Sequence, residues 1–181
     1  MAPTRVNLVL IGLRGSGKST LGRALAAALG RRLIDLDDIT PGLLAMPDAA
    51  TALRTLGETP FRLAEFQALK ESLLAPDQVL ALGGGTPTAP GAAALLRRER
   101  DAGRARVLYL AAPPQTLADR LARTDLDNRP SLTGKGVLEE ITDLHAARDP
   151  LYRDLADLTL ESTTDADADA ESVLAWFDAL A

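Results

Sequence analysis

The sequence predicts an α/β fold, a three-layer sandwich in which helices cover both faces of a five-stranded parallel sheet. Short apolar runs alternate along the chain with longer stretches of helical periodicity, which is typical of successive βαβ units. At 181 residues the chain has the length of one domain, 1–181, large enough to bury a core without disulfides. The predicted strands span residues 6–11, 33–36, 79–82, 106–110 and 158–160.

The stretches between these strands carry apolar residues at helical spacing and turn residues at their ends. Pro114 suits the first turn of a helix, and Gly30 suits the position just after one. Residues 40–55 include two prolines and a glycine, so short helices joined by turns are expected there. Helices are predicted at 19–30, 60–74, 91–100, 114–123, 136–148 and 168–180.

Composition excludes several kinds of partner. The net charge of −5 and the aromatic content of 3% indicate neither a basic surface nor base-stacking side chains, so no nucleic-acid partner is expected. The chain has no cysteine, which removes disulfides and thiolate chemistry. No apolar run reaches the roughly 18 to 20 residues that span a bilayer, and the N-terminus lacks a signal-peptide pattern. A cytoplasmic protein without a membrane partner is expected.

The most informative motif is Gly-x-x-x-x-Gly-Lys-Ser at residues 12–19, directly after the first predicted strand. Its glycines let backbone N–H groups curl around phosphate oxygens, while Lys18 reaches the β- and γ-phosphates and Ser19 takes a place on Mg²⁺. The alternative is a plain Gly-rich turn, but the apolar strand before the motif and the amphipathic helix after it favour a nucleotide site. The predicted nucleotide-binding residues here are Gly15, Ser16, Gly17, Lys18, Ser19 and Thr20.

A phosphate-binding loop also needs a carboxylate for Mg²⁺, and residues 33–38 supply candidates. Alternation along a strand would place Asp35 and Asp37 on one side, near the carboxyl end where ligands of open α/β sheets collect. Asp35 is then the predicted metal carboxylate, through water, with Ser19 as the other ligand, and Asp37 is the predicted partner of an acceptor hydroxyl. The alternative is that Asp37 or Asp38 only caps the next helix.

The absence of a guanine-recognition motif favours phosphate transfer to a small molecule. No Asn-Lys-x-Asp guanine-recognition motif is present in the sequence. Arg62 and Glu65 lie three apart on a predicted helix, a spacing that by itself usually indicates a solvated surface pair. Arg148 lies at a predicted helix end, where a cation by itself could simply complement the helix dipole.

Six motifs in order resemble those of shikimate kinases, over nearly the whole chain. The resemblance implies a P-loop NTPase fold of the nucleoside-monophosphate-kinase type. It also implies transfer of the γ-phosphate of ATP to the 3-hydroxyl of shikimate, giving shikimate 3-phosphate and ADP. The motifs are Gly-Ser-Gly-Lys-Ser-Thr at 15–20, Asp-Leu-Asp-Asp at 35–38, Gly-Glu-x-x-Phe-Arg-x-x-Glu at 57–65, Gly-Gly-Gly at 83–85, Arg-Pro-x-Leu at 129–132 and Arg-x-Pro-Leu-Tyr at 148–152.

The resemblance assigns the acceptor site to a segment at about 37–64 and to two later motifs. Arg62 and Arg148 would grip the carboxylate of shikimate, since a planar guanidinium offers paired donors. Glu65 would orient Arg62, and Phe61 would supply an apolar wall. The implied substrate-binding residues are Asp37, Arg62, Gly83, Gly84, Gly85 and Arg148.

The resemblance also implies a mobile lid at about 124–136, a stretch rich in Asp, Asn, Pro and Gly with little apolar content. Arg129 would swing onto the ATP phosphates as a catalytic residue alongside Lys18 and Asp37. Arg123, just before the lid, would be a second cation near the nucleotide. The alternative for Arg129-Pro130 is a simple rigid turn. ATP and Mg²⁺ are the implied cosubstrate and metal, and the resemblance favours a monomer.

Two other functions are compatible with parts of this pattern. Another small-molecule kinase of the same architecture, such as a gluconate kinase, shares the phosphate loop and an acidic strand end, but does not require both Arg62 and Arg148. A nucleotide-binding module without catalysis is the second alternative. It gives no physical reason to retain Lys18, Asp35 and Arg129 together with the acceptor-side arginines.

Overall fold

The computed structural model describes residues 5–123, 137–163 and 165–179. In this part of the chain five strands form one parallel sheet in the order β2-β3-β1-β4-β5. The central strand β1 pairs with β3 on one side and with β4 on the other. The strands are β1 Asn7–Ile11, β2 Arg32–Asp35, β3 Gln78–Ala81, β4 Ala105–Ala111 and β5 Leu158–Glu161.

Helices connect the strands on both faces of the sheet. The described residues contain eight α-helices, and a short 3₁₀ turn spans Thr86–Thr88 after β3. Parallel strands need such connections, because the chain must return along the sheet and does so through a helix that packs on one face. The helices are α1 Lys18–Leu29, α2 Leu36–Leu43, α3 Ala49–Leu56, α4 Glu58–Ser72, α5 Ala92–Asp101, α6 Pro114–Ala122, α7 Val137–Leu155 and α8 Ala166–Asp178.

Strand β1 is buried on both faces and divides the core into two layers. Leu8 and Leu10 pack with α1 and α8, whereas Val9 and Ile11 pack with the layer formed by α4, α5 and α7. This division arises because successive side chains of a strand point to opposite faces of the sheet. A strand that is covered on both faces therefore consists of consecutive apolar residues. The predicted three-layer architecture with a five-stranded parallel sheet is confirmed.

The carboxyl end of β2 differs from the prediction. The strand ends at Asp35, and Asp37 lies in the first turn of α2. Asp35 caps that helix, because its Oδ1 accepts a hydrogen bond from the Asp37 amide at 3.1 Å. The prediction that Asp35 and Asp37 alternate along a strand was therefore wrong, although both remain at the carboxyl end of the sheet. The short helices predicted at 40–55 are confirmed as α2 and α3.

Helix α7 extends beyond its predicted end at residue 148 and continues through Pro150 to Leu155. An internal proline removes one helical hydrogen bond and crowds the preceding turn. Burial on the far side of Pro150 offsets that cost, because Tyr152 and Leu155 are fully buried. The Tyr152 ring also meets Tyr109 edge to face, with ring centroids 5.4 Å apart.

The predicted lid at 124–136 lies outside the described residues. Among the described helices, none has both the length and the apolar character needed to cross a membrane.

Candidate active site

The phosphate-binding motif forms the turn between β1 and α1. Gly17 caps α1 with a φ of 99°, a left-handed conformation that favours glycine, and α1 begins at Lys18. The Lys18 side chain is buried, and its Nζ donates to the carbonyl of Leu13 at 3.0 Å. This hydrogen bond fixes the ammonium group of Lys18 against the phosphate loop, near the N-terminus of α1, where the helix dipole is positive. This arrangement suits a bound polyphosphate.

Ser19 and Asp35 meet at the edge of this loop. Ser19 Oγ donates to Asp35 Oδ2 at 2.6 Å, which brings the first turn of α1 to the end of β2. A hydroxyl and a carboxylate are the oxygen ligands that Mg²⁺ prefers, and Mg²⁺ keeps further positions for water and phosphate oxygens. The chemistry of these two side chains therefore fits a magnesium ion, and the binding of Mg²⁺ by Ser19 and Asp35 stays a prediction.

Asp37 and Glu65 converge on Gly83. A Cβ built on Gly83 would lie 2.6 Å from Asp37 Oδ1 and 2.7 Å from Glu65 Oε1, so only glycine leaves room for both carboxylates. Asp37 itself is exposed, whereas Glu65 is buried and accepts a hydrogen bond from Thr86 Oγ1 at 2.8 Å. Asp37 thus presents a carboxylate to solvent beside a buried polar network.

Arg62 is held by two carboxylates of its own helix. Its Nη1 lies 2.5 Å from Glu65 Oε2, and its Nη2 lies 3.0 Å from Glu58 Oε1. Arg62 is 9% exposed and Glu65 is 2% exposed. The interpretation of this pair as a solvated surface ion pair is therefore wrong, and the expected contact of Glu65 with Arg62 is confirmed.

Burial and charge act in opposite directions on this pair. Burial raises the pKa of the Glu65 carboxyl, and the attraction of Arg62 only partly offsets it, while the nearby Asp37 charge raises it further. Burial alone would lower the pKa of Arg62, but Glu65 and Glu58 outweigh it and raise that pKa. Arg62 is therefore a permanent cation, whereas burial makes the charged form of Glu65 less favourable.

Gly85 lies directly under the Arg62 guanidinium. A Cβ on Gly85 would lie 2.1 Å from Nη1 and 2.3 Å from Cζ of Arg62. Any side chain at this position would displace the guanidinium. The last glycine of the Gly-Gly-Gly motif is therefore required by the position of Arg62.

Arg148 and Tyr152 of α7 both bind the carbonyl of Gly84. Arg148 Nη1 donates to Gly84 O at 2.8 Å, and the Tyr152 hydroxyl donates to the same oxygen at 2.5 Å. Burial raises the pKa of Tyr152 to about 12, so the hydroxyl keeps its donor proton at neutral pH. Because α7 continues past Arg148, the interpretation of Arg148 as a helix-terminal cation is wrong.

A cavity of about 590 Å³ lies next to the phosphate loop. Leu13 and Arg14 of the loop form one side of it. Helix α3 and Phe61 add apolar surface, as expected for Phe61. The lining also includes the polar and glycine residues Asp37, Arg62, Glu65, Gly84, Gly85 and Arg148.

One predicted nucleotide-side cation, Arg123, does not belong to this cluster. Arg123 caps the end of α6 and is exposed, and its side chain forms no hydrogen bond or ion pair with the described part of the chain. Arg129 lies outside the described residues. Thr20, also predicted at the nucleotide, is exposed in the first turn of α1.

Sequence reasoning missed three side chains. Arg14 occupies a variable position of the phosphate loop yet forms an ion pair with Glu140 of α7. Arg120 of α6 binds carbonyls of the same loop. Tyr152 is the last residue of the Arg-x-Pro-Leu-Tyr motif at 148–152, and this position in the motif could have marked it as a site residue. No pattern marks the two arginines, because their partners are distant in the sequence.

A phosphate loop at the carboxyl end of a parallel sheet, beside a cavity with cationic and acidic side chains, defines a P-loop kinase acting on a small molecule. The shikimate kinase family model matches residues 14–178. The chain belongs to the shikimate kinase family, and is accordingly an ATP-dependent kinase.

Individual relatives agree with this family. The chain is 39% identical over 168 residues to shikimate kinase 2 of Yersinia enterocolitica, covering 92% of each sequence. It also resembles the structure of shikimate kinase from Acinetobacter baumannii in complex with shikimate. That match has a TM-score of 0.87 and 32% identity, and covers 97% of this chain and 94% of the other.

A gluconokinase from Sinorhizobium meliloti is similar in fold only. Its TM-score is 0.58 at 17% identity, over 98% of this chain and 94% of the gluconokinase. This similarity shows the shared architecture, and it does not favour the gluconate kinase alternative.

Proposed function

We propose that the protein transfers the γ-phosphate of ATP to the 3-hydroxyl of shikimate, giving shikimate 3-phosphate and ADP. The observation that carries the proposal is the cavity beside the phosphate loop. Across it Arg62 and Arg148 offer guanidinium groups, and Asp37 offers a carboxylate. A hydroxylated ring with one carboxylate matches this charge pattern, because the acid pairs with arginine and a hydroxyl donates to Asp37.

Of the two arginines Arg62 and Arg148, Arg148 has the charge that is less compensated by neighbouring carboxylates. Its guanidinium donates to a backbone carbonyl and forms no ion pair with the described residues. Arg62, in contrast, already contacts Glu58 through Nε and Nη2, at 3.1 and 3.0 Å. The Glu58 side chain is 65% exposed, so a substrate carboxylate can replace it on these nitrogens while Glu65 keeps Nη1 in place.

Asp37 then orients the acceptor hydroxyl toward the phosphate loop. Phosphoryl transfer through a loose transition state depends mainly on alignment and electrostatic stabilisation, so orientation by Asp37 suffices without a general-base role. Gly84 and Gly85 line the cavity without side chains, and Gly83 leaves room for the carboxylate of Asp37. The carbonyl of Gly84 accepts from Arg148 and Tyr152.

Lys18 and the loop amides bind the phosphates of ATP, and the predicted nucleotide residues 15–20 surround them. Ser19 and Asp35 would hold Mg²⁺, which when bound neutralises developing phosphate charge. Arg129, outside the described residues, stays a predicted phosphate ligand from the lid. Arg123 stays a predicted neighbour of the nucleotide. The cytoplasmic location, the monomeric state and the single domain also remain predictions.

The test is a coupled ADP-release assay with shikimate, gluconate and AMP as separate acceptors. We expect ADP release with shikimate only, and phosphorus NMR of the product should show a phosphate ester at the 3-hydroxyl. Turnover of gluconate or AMP in preference to shikimate would overturn the proposed acceptor. ATP binding without turnover of any acceptor would favour the non-catalytic alternative.

A further inference from the structure

Arg120 of α6 binds the outer side of the phosphate loop. Its Nη1 lies 3.2 Å from the carbonyl of Ser16 and 3.4 Å from the carbonyl of Gly15. The same nitrogen donates to Ser162 Oγ at 2.8 Å, and Nη2 donates to the carbonyl of Thr163 at 2.7 Å. One guanidinium therefore joins three segments: α6, the phosphate loop, and the turn after β5.

Ser162 reinforces this contact. Its hydroxyl accepts from Arg120 and donates to the carbonyl of Ser16 at 3.0 Å. The turn that carries Ser162 is itself anchored to α8. The Asp169 carboxylate accepts from the amide and hydroxyl of Thr163 at 3.1 and 2.9 Å. The carbonyl of Ser16 is thus held by two donors that are each fixed by further contacts.

The orientation of these carbonyls matters for anion binding. The N–H and C=O groups of a peptide unit point in opposite directions, so a loop that offers amides to phosphate must turn carbonyls outward. Outward carbonyls need donors of their own when they are withdrawn from water, and Ser16 is fully buried. Arg120 and Ser162 supply those donors.

We propose that Arg120, assisted by Ser162, is a positioning residue for the nucleotide: by holding the carbonyls of Gly15 and Ser16 outward, it keeps the phosphate loop in its anion-binding conformation. Arg120 does not touch the substrate in this role. The inference rests on the proposed function only in taking the loop as the phosphate site.

The test compares Arg120→Met, Arg120→Lys and Ser162→Ala with the unaltered protein. Calorimetry measures the Kd of MgADP, and steady-state kinetics measures KM for ATP and for shikimate separately. For Arg120→Met we expect the Kd of MgADP and the KM for ATP to rise about 10- to 100-fold, with the KM for shikimate within about twofold. Lysine should not restore binding, because one ammonium cannot reproduce the forked guanidinium contacts.

Ser162→Ala is the milder variant and removes only a hydroxyl. We expect a weaker loss of MgADP affinity in the same direction. The double variant Arg120→Met/Ser162→Ala should lose less than the sum of the two effects, because both side chains act on the same carbonyl. Arg97→Met is the matched control, since the side chain of Arg97 on α5 is 42% exposed and, within the described residues, forms an ion pair with Asp154. It should leave MgADP affinity unchanged.

Unchanged MgADP affinity in folded Arg120→Met would overturn the inference. Equal rises of both KM values with a lowered Tm would also overturn it, because that result indicates general destabilisation. If Arg120→Met does not fold, MgADP affinity of Ser162→Ala decides the question by the same criterion. MgADP binding needs no acceptor, so a failure of shikimate phosphorylation would be seen separately from a failure of this inference.

Discussion

Arg14 Nη2 donates a charge-assisted hydrogen bond to Glu140 Oε1, although the two residues are 126 positions apart. The Glu140 side chain is 1% exposed and that of Arg14 is 22% exposed. The contact ties the phosphate loop to the first turn of α7, the helix that also carries Arg148 and Tyr152. An ion pair that is buried on the Glu140 side and partly exposed on the Arg14 side therefore links the nucleotide and acceptor sides of the cavity.

Removing one partner of this ion pair should destabilise the protein. A buried charge left without its partner costs about 3–5 kcal/mol, but partial exposure of Arg14 reduces that penalty. We expect Glu140→Gln to lower the free energy of unfolding by about 2 kcal/mol, measured by urea denaturation.

Glu171→Gln, on the exposed face of α8, is the control and should change stability by less than about 0.5 kcal/mol. In the double variant Arg14→Met/Glu140→Gln the two losses should not add, because each single variant already breaks the pair. Additive losses would contradict a direct energetic link between the two residues.

Arg148→Met should weaken shikimate binding more than turnover. A charged hydrogen bond is worth about 1.5–3 kcal/mol, so we expect the KM for shikimate to rise about 10- to 100-fold while kcat changes little. Steady-state kinetics at saturating ATP checks this, with Arg97→Met as the surface control. A variant that loses kcat at an unaltered KM would show that Arg148 acts on the transition state instead.

Gly85→Ala should disturb Arg62 without straining the backbone. The φ of Gly85 is −110°, which alanine adopts readily, so the effect comes from the added Cβ that would lie 2.1 Å from Arg62 Nη1. We expect kcat/KM for shikimate to fall at least about tenfold.

Gly103→Ala is the reverse case, since its φ of 69° strains alanine but a Cβ there would meet nothing within 4 Å. It should lower stability by about 1 kcal/mol and leave the kinetics unchanged. If both variants affected kcat/KM alike, the steric explanation for Gly85 would fail.

Asp35→Asn should raise the Mg²⁺ concentration needed for half-maximal activity. Asparagine caps a helix about as well as aspartate, so the start of α2 should persist while the charge next to Ser19 is lost. We expect at least about a tenfold shift in the Mg²⁺ titration and little change in Tm. Asp165→Asn, at the cap of α8, is the matched control. An identical titration for Asp35→Asn and the unaltered protein would exclude Asp35 as a metal ligand.

Glu65 should make stability decrease with rising pH. Burial raises the pKa of its carboxyl above the ordinary 4.5, so the folded protein holds this proton more tightly than the unfolded chain does. Its contribution is fully present below pH 4.5 and is lost as pH rises through the folded pKa. The difference in unfolding free energy between the unaltered protein and Glu65→Gln should therefore decrease over that window. Urea denaturation from pH 4 to 8 checks this, and a difference that grows with pH would contradict it.

Local patterns predicted much of this protein. The order of strands along the chain, the phosphate loop and the short helices at 40–55 all follow from apolar periodicity and turn residues, which act between near neighbours. The exact end of α7 was not predictable in this way. Pro150 is a local stop signal, and only the burial of Tyr152 against distant residues outweighs it.

The sequence by itself determined the class of fold, the phosphate loop and the motifs that carry the family, because these depend on residue type and short spacing. Tertiary structure alone decided that Arg62 and Glu65 are buried, that Asp37 lies in the first turn of a helix, and that Arg14 and Arg120 contact other elements from the phosphate loop and α6. Those contacts join residues up to 126 positions apart. Their energies come from desolvation and hydrogen-bond geometry, which no local pattern of residues contains.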